Sequence, residues 1–307
     1  MTSSESAAPP DGVLEAFGAT GPARRLAGGQ NGTWRSGEIV LKPAESAVEA
    51  NWRCGVLDTL PESPDFRIAR PVRARDGGWL AGGWEAARFV AGAADPRRVD
   101  DVIVAGAAFH RAVAEVPRPS FLDTRTDPWA YGDRLAFQPP GTELTRPSEL
   151  QEILLAARRP VDLPEQLVHG DLLGNVLFAG GQPPAIIDWS AYWRPPAWAA
   201  AVAVVDALCW HGVHMSVLDR WAHLPAWRQM LIRALIFRIA TDEAAHQAAH
   251  QAAHEAAHEA AGEVADKLAS EAASEAASEV ASEAAGRPDE PDEAYRPVVQ
   301  AVVACRE

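Results

Sequence analysis

Residues 168–189 read VHGDLLGNVLFAGGQPPAIIDW, and three oxygen-bearing side chains, Asp171, Asn175 and Asp188, interrupt an otherwise apolar, glycine-punctuated pattern. VLF after Asn175 reads as a short strand, GGQPP as a turn, and AIID as a second short strand ending in an aspartate. Such a hairpin brings Asp171 and Asn175 at its entrance to the same end as Asp188 at its exit. Taken singly, an aspartate at a strand end is most often a turn residue. Together, two carboxylates and an amide oxygen form a hard, all-oxygen donor set suited to Mg²⁺ carrying phosphates. A carboxylate beside such an ion can orient a hydroxyl and accept its proton.

The N-terminal part offers groups for the phosphates themselves. AGGQNGTW is a glycine-rich turn, with Gly28, Gly29 and Gly32, where backbone amides can approach phosphate oxygens unobstructed. Lys42 follows in EIVLKP. Lysine occurs only at Lys42 and Lys267, and every other strong base is arginine, so Lys42 departs from the chain's own habit. Glu49, or Glu45 as the second choice, lies on the next helical stretch and is placed to hold the Lys42 ammonium.

The elements that must position these residues change character along the chain. Residues 1–12 read as a flexible polar tail. Residues 13–90 carry short strand-like runs separated by glycines, interrupted by one helix in AESAVEANWRCGVLDTL, which makes a small sheet lobe. Residues 91–243 are mostly helical: DDVIVAGAAFHRAVAEV, PSELQEILLAARR, an apolar helix from about Trp198 to Trp210, and another from about Leu218 to Ala240. His110, on the apolar side of the first of these, reads as a satisfied core histidine.

Residues 244–293 form a low-complexity Ala/His/Glu/Ser insertion, and 294–307 a C-terminal helix packing back on the body. The four-residue repeat unit precesses by roughly 40° per repeat around a helix, so no fixed face is apolar and no core layer forms from it. It reads as an exposed alanine-rich helix or a disordered segment. His246, His250, His254 and His258 at i,i+4 spacing could share a transition metal, but no further ligand closes such a site.

Composition excludes several function classes. The formal net charge is −14, yet residues 241–293 hold 14 acids and two bases, so the body is near neutral. No basic excess exists to attract nucleic acid. The longest apolar run is too short to span a bilayer and contains Asp206, and the N-terminus lacks a secretory pattern. Cys54, Cys209 and Cys305 have no paired spacing, which points to reduced thiols in a cytoplasmic protein. Nothing in the sequence sets an oligomeric state.

HGDLLGN followed by IIDW, behind a glycine-rich turn and VLK, resembles the aminoglycoside phosphotransferase and choline-kinase-like family over roughly residues 15–240. GGQNGTWRSGEIVLKP, DPWAYGDR and IIDWSAYWRPPAW are similar to a bacterial branch of it. The resemblance implies an α+β, protein-kinase-like two-lobed fold, with a small antiparallel-sheet N-lobe and a larger, mostly helical C-lobe. It implies ATP or GTP as phosphoryl donor, Mg²⁺ as cofactor and a small hydroxylated acceptor. Asp171 then matches the catalytic base, Asn175 and Asp188 the Mg²⁺ ligands, and Lys42 the lysine on the α- and β-phosphates. Gly28, Gly29 and Gly32 match the phosphate-covering loop. Arg88 to Val90, including Phe89, match the interlobe linker whose backbone reads the purine edge, and His169 braces the catalytic loop.

Two departures stand out. Asn175 is four residues beyond Asp171, whereas the family places it five beyond, which makes it a less secure ligand than Asp188. The family's acidic residue a dozen positions after the metal aspartate meets AWAAAVAV here, and its role is not carried to Asp206. The reading is a small-molecule phosphotransferase. The alternative is a catalytically impaired nucleotide-binding interaction protein. A Ser/Thr protein kinase fits worse, since Gly170 stands where an arginine would read a phosphorylated activation loop.

Overall fold

A computed structural model of the chain describes residues 7–26, 32–138, 147–270 and 291–305, with side chains left out for 252–270 and for 291 and 292. The strands are β1 Arg24–Arg25, β2 Trp34–Ser36, β3 Ile39–Pro43, β4 Arg67–Ile68, β5 Leu80–Ala81, β6 Trp84–Arg88, β7 Ala93–Ala94, β8 Gln166–His169, β9 Val176–Phe178, β10 Ala185–Ile186 and β11 Ala191–Arg194. The helices are α1 Asp11–Ala16, α2 Ala47–Thr59, α3 Val99–Ala112, α4 Pro128–Phe137, α5 Glu149–Ala157, α6 Pro196–Trp210, α7 Val217–Arg220, α8 Trp227–Ser270 and α9 Pro291–Ala304.

The N-lobe is an antiparallel sheet in the order β1-β2-β3-β6-β5, with α2 inserted after β3. Alternation in IVLKP and WEAAR buries Ile39, Leu41, Trp84 and Ala86 in a small core. Helix α1 closes that core with Val13 and Phe17, so the start of the chain belongs to this lobe from Asp11 onward, rather than remaining a tail to residue 12. Helix α2 starts at Ser46, whose hydroxyl accepts from the Glu49 amide.

The C-lobe core gathers α3, α6 and the first turns of α8, with Trp198, Phe237 and Tyr192 in edge-to-face contact. Helix α6 is buried nearly all round, as a sequence apolar but for Asp206 requires. Helix α4 is not among the helices read from the residue pattern. It is started by Asp127, whose carboxylate accepts from the Ala130 amide, with Pro128 in its first turn. The single helix expected from Leu218 to Ala240 is instead α7 and α8, divided at Pro225 and at Ala226, which has φ 47°. Helix α8 then continues without a break to Ser270, across the start of the low-complexity stretch.

The motif-bearing stretch folds as an antiparallel β9–β10 hairpin, which β4 and β7 extend into a four-stranded sheet. β8 and β11 flank it as a separate antiparallel pair, His169 opposite Ala191. No helix among the described residues is long and apolar enough to cross a membrane.

Candidate active site

Three local devices shape the loop between β8 and β9. Gly170 comes first: a Cβ there would meet Tyr192 Cδ2 at 2.4 Å, so only glycine lets the chain pass the ring. Its amide donates to Ser190 O at 3.0 Å. Gly174 adopts φ 91°, which lets the loop reach Asn175 in four residues. His169 then ties both ends together. Its Nδ1 accepts from the Asp171 amide at 3.2 Å, so Nε2 carries the proton and donates to Ile187 O at 3.1 Å. Burial holds His169 neutral, below the usual histidine range. Behind it, His110 Nε2 accepts from the His169 amide at 2.9 Å, and burial pushes His110 down to about 3. His110 is the satisfied core histidine that its place on α3 suggested.

The loop brings Asp171 and Asn175 together. Asn175 Nδ2 donates to Asp171 O at 2.7 Å and to Asp171 Oδ2 at 3.1 Å. The Asn175 amide is thus turned nitrogen-first toward Asp171. The Ile187 amide donates to Asn175 O at 3.0 Å, which sets Asp188 beside this loop. Asp188 has φ 49°, a left-handed conformation that aspartate tolerates better than most residues, and its side chain is 49% exposed. Trp189 turns inward and donates to Val168 O at 3.1 Å.

Across the cleft, Lys42 Nζ donates to Asp188 Oδ1 and lies 3.5 Å from Glu85 Oε1. Burial works to raise the Asp188 carboxyl, and the Lys42 ammonium, helped by Arg53, overcomes it and holds the group below the usual carboxylate range. The expected Glu49–Lys42 pair does not form. Glu49 instead pairs at 3.6 Å with Arg53, one turn along α2, and Arg53 grips both oxygens of Glu85 at 2.7 and 2.9 Å. The reason is register. Lys42 on β3 lies directly opposite Glu85 on β6, so the sheet supplies the carboxylate that was expected from the helix. Helix α2 still braces the site, with Trp52 tilted against Trp189 at 5.3 Å and edge-on to Phe121 at 5.2 Å.

On the other side of Asp171 stands Arg238 of α8. Its Nη2 donates to Asp171 Oδ1 at 2.7 Å, while Nε and Nη2 hold both oxygens of Asp206 on α6. Burial disfavours this guanidinium's charge, but the two carboxylates outweigh it and hold it well above its ordinary value. Glu85, Arg53, Arg238 and Asp206 escaped sequence reasoning. For Asp206 and Arg238 the available signal was a lone charge inside an apolar run, in VVDAL and LIFRIA.

The remaining expected residues are placed unevenly. Gly28 and Gly29 lie outside the described residues, and Gly32 is buried at φ 68° on the approach to β2. Phe89 follows β6, with the Arg35 guanidinium 3.4 Å over its ring, and its amide is already committed to Glu38 O at 2.9 Å. That amide is therefore not available to a base edge. Val90 is next in the linker. The side chains of His254 and His258 are outside the described residues, and no group of three or more metal-ligating side chains occurs among the described ones.

The model of a family described as "Phosphotransferase enzyme family" matches residues 56–230. An aminoglycoside phosphotransferase from Alicyclobacillus acidocaldarius superposes with a TM-score of 0.51 at 19% identity, over 83% of this chain and 96% of that one. The GDP and kanamycin complex of APH(2")-IIia gives a TM-score of 0.51 at 15% identity, over 85% and 98%. No curated protein sequence matches the chain. The two-lobed kinase-like fold is thus shared with these structures, and the family model, which spans more than half of the chain, establishes that this protein belongs to the phosphotransferase enzyme family.

Proposed function

We propose that this phosphotransferase moves the γ-phosphoryl group of ATP or GTP to a hydroxyl of a small molecule. The observation that carries the reading is the Lys42–Asp188 contact across the lobes, with Asp171 tied to the same hairpin through Asn175. Lys42 supplies a cation for the α- and β-phosphates, and the Val90 amide a donor for the purine edge. The hard oxygens of Asp188 and Asn175 suit Mg²⁺, which when bound offsets the charge of the phosphates. The Asp171 carboxylate is 43% exposed, so an acceptor can reach it. It receives donors on both oxygens, from Arg238 and from Asn175, and this fixes the direction in which it can align an incoming hydroxyl.

APH(2")-IIia is described with GDP and kanamycin, which makes a purine nucleotide and a polyhydroxylated amine the first pair to assay here. The test is transfer from γ-labelled ATP and GTP over a panel of aminoglycosides, amino alcohols, sugars and nucleosides. Label transfer to at least one acceptor, lost by about 10²- to 10⁴-fold in Asp171→Ala with nucleotide affinity retained, is expected. Mg²⁺-dependent nucleotide binding with no transfer to any acceptor would favour a nucleotide-binding interaction protein instead.

A further inference from the structure

The charged groups around Lys42 form an alternating chain of Glu49, Arg53, Glu85, Lys42 and Asp188. Its members differ in what can replace their partners. Asp188 has a 49% exposed side chain at the mouth of the cleft, where a divalent ion or water can take its oxygens. Glu85 has an 8% exposed side chain, faces Lys42 by strand register, and is clamped by both oxygens to Arg53. A carboxylate so buried has little water to turn to, so its partners are the two cations that the fold brings to it, Arg53 and Lys42. Arg53 and Cys54 of α2 touch Glu85, yet Glu85 itself belongs to the strand beside Lys42.

We propose that Glu85 is the positioning residue that keeps the Lys42 ammonium over the nucleotide phosphates when Asp188 turns to its metal, while Glu49 serves only Arg53. This rests on the reading of Lys42 as the phosphate-binding cation. The sheet, not helix α2, then fixes the lysine. A swing of α2 leaves the Lys42–Glu85 register intact, because both residues are carried by paired strands.

The test compares dissociation constants for ADP and for adenosine, measured by calorimetry in excess Mg²⁺ on the full-length protein. The adenosine constant divided by the ADP constant isolates the contribution of the phosphates with their metal. A merely structural role for Glu85 moves both constants together and leaves the ratio alone. Glu85→Gln is expected to lower the ratio about ten-fold, approaching the loss in Lys42→Ala. The double variant Lys42→Ala/Glu85→Gln should fall no further than Lys42→Ala, and Glu49→Gln should lose less than Glu85→Gln. Glu85→Asp, which keeps the charge should Glu85→Gln fold poorly, should retain part of the ratio. An unchanged ratio in Glu85→Gln and Glu85→Asp beside a collapsed one in Lys42→Ala overturns the role of Glu85 alone, as does a larger loss in Glu49→Gln. An unchanged ratio in Lys42→Ala overturns the phosphate-binding reading as well.

Discussion

Arg238 holds Asp171 by one carboxylate oxygen at 2.7 Å while bound to Asp206 through the same Nη2. Two carboxylates thus share one buried cation, and only one of them, Asp171, reaches the cleft. Removing the cation leaves Asp206 buried and uncompensated, at a cost of about 3–5 kcal/mol. Arg238→Met should therefore lower stability by that order in urea denaturation. The pair Arg238→Met/Asp206→Leu should recover most of it, since no unpaired charge remains. Turnover should stay depressed in the double variant, because Asp171 has lost a donor that orients it. Recovery of turnover along with stability would show that Arg238 serves packing only.

Asp188 combines a left-handed backbone with a carboxylate that accepts from the Lys42 ammonium across the cleft. Asp188→Asn should leave the fold stable, because asparagine also tolerates that conformation, while the Mg²⁺-dependent part of the thermal stabilisation by ATP disappears. Asp188→Val should in addition cost about 1–3 kcal/mol, since a β-branched residue is strained at positive φ. Differential scanning fluorimetry with ATP, with and without Mg²⁺, separates the two effects. Undiminished Mg²⁺ dependence in Asp188→Asn would remove Asp188 from the metal site.

Stability should depend on pH through two buried histidines. Burial lowers both His110 and His169, His110 to about 3, so both are neutral in the folded protein near neutrality. The unfolded chain takes up protons at an ordinary histidine value of about 6.5. Below that pH the unfolded state binds more protons, and stability falls as pH falls; above it, both states are neutral and these groups contribute no slope. For His110 the loss runs from about 6.5 down to about 3. Each histidine adds a slope of about 1.4 kcal/mol per pH unit within its window. His110→Gln, whose amide oxygen can still accept from the His169 amide, should flatten the denaturation profile between pH 6.5 and 4.5 by about one proton. A slope equal to that of the wild type would mean that His110 titrates normally.

The two glycines of the loop between β8 and β9 should respond differently to alanine. Gly170→Ala places a Cβ 2.4 Å from the Tyr192 ring, which itself packs on Trp198 and Phe237, so the loop or the core must shift. A loss of about 1–3 kcal/mol together with lowered turnover is expected. A Cβ on Gly174 meets nothing within 4 Å, and its φ of 91° alone opposes alanine. Gly174→Ala should therefore cost backbone strain without displacing Tyr192, as the near-ultraviolet dichroism of the aromatic cluster would report. Equal perturbation of that spectrum by both variants would contradict the geometry.

What the sequence determined by itself is the local part. The β9–β10 hairpin, its GGQPP turn and the run from His169 to Asn175 lie within a few residues of one another, so turn chemistry and alternation suffice to read them. The start of α4 at Asp127-Pro128 and the break before α8 at Pro225 are equally local signals, although hydrophobic periodicity alone passes over them. The partner of Lys42 was of another kind. Distance along the chain favours Glu49, whereas Glu85 lies opposite Lys42 because β3 pairs with β6, and no one-dimensional rule favours that register over a shifted one. Likewise Arg238 reaches Asp171 from 67 residues away, because α8 packs on α6 and α4. A buried charge is tolerated only where an opposite one arrives from elsewhere in the fold, so its role is decided by packing, which only the folded chain possesses.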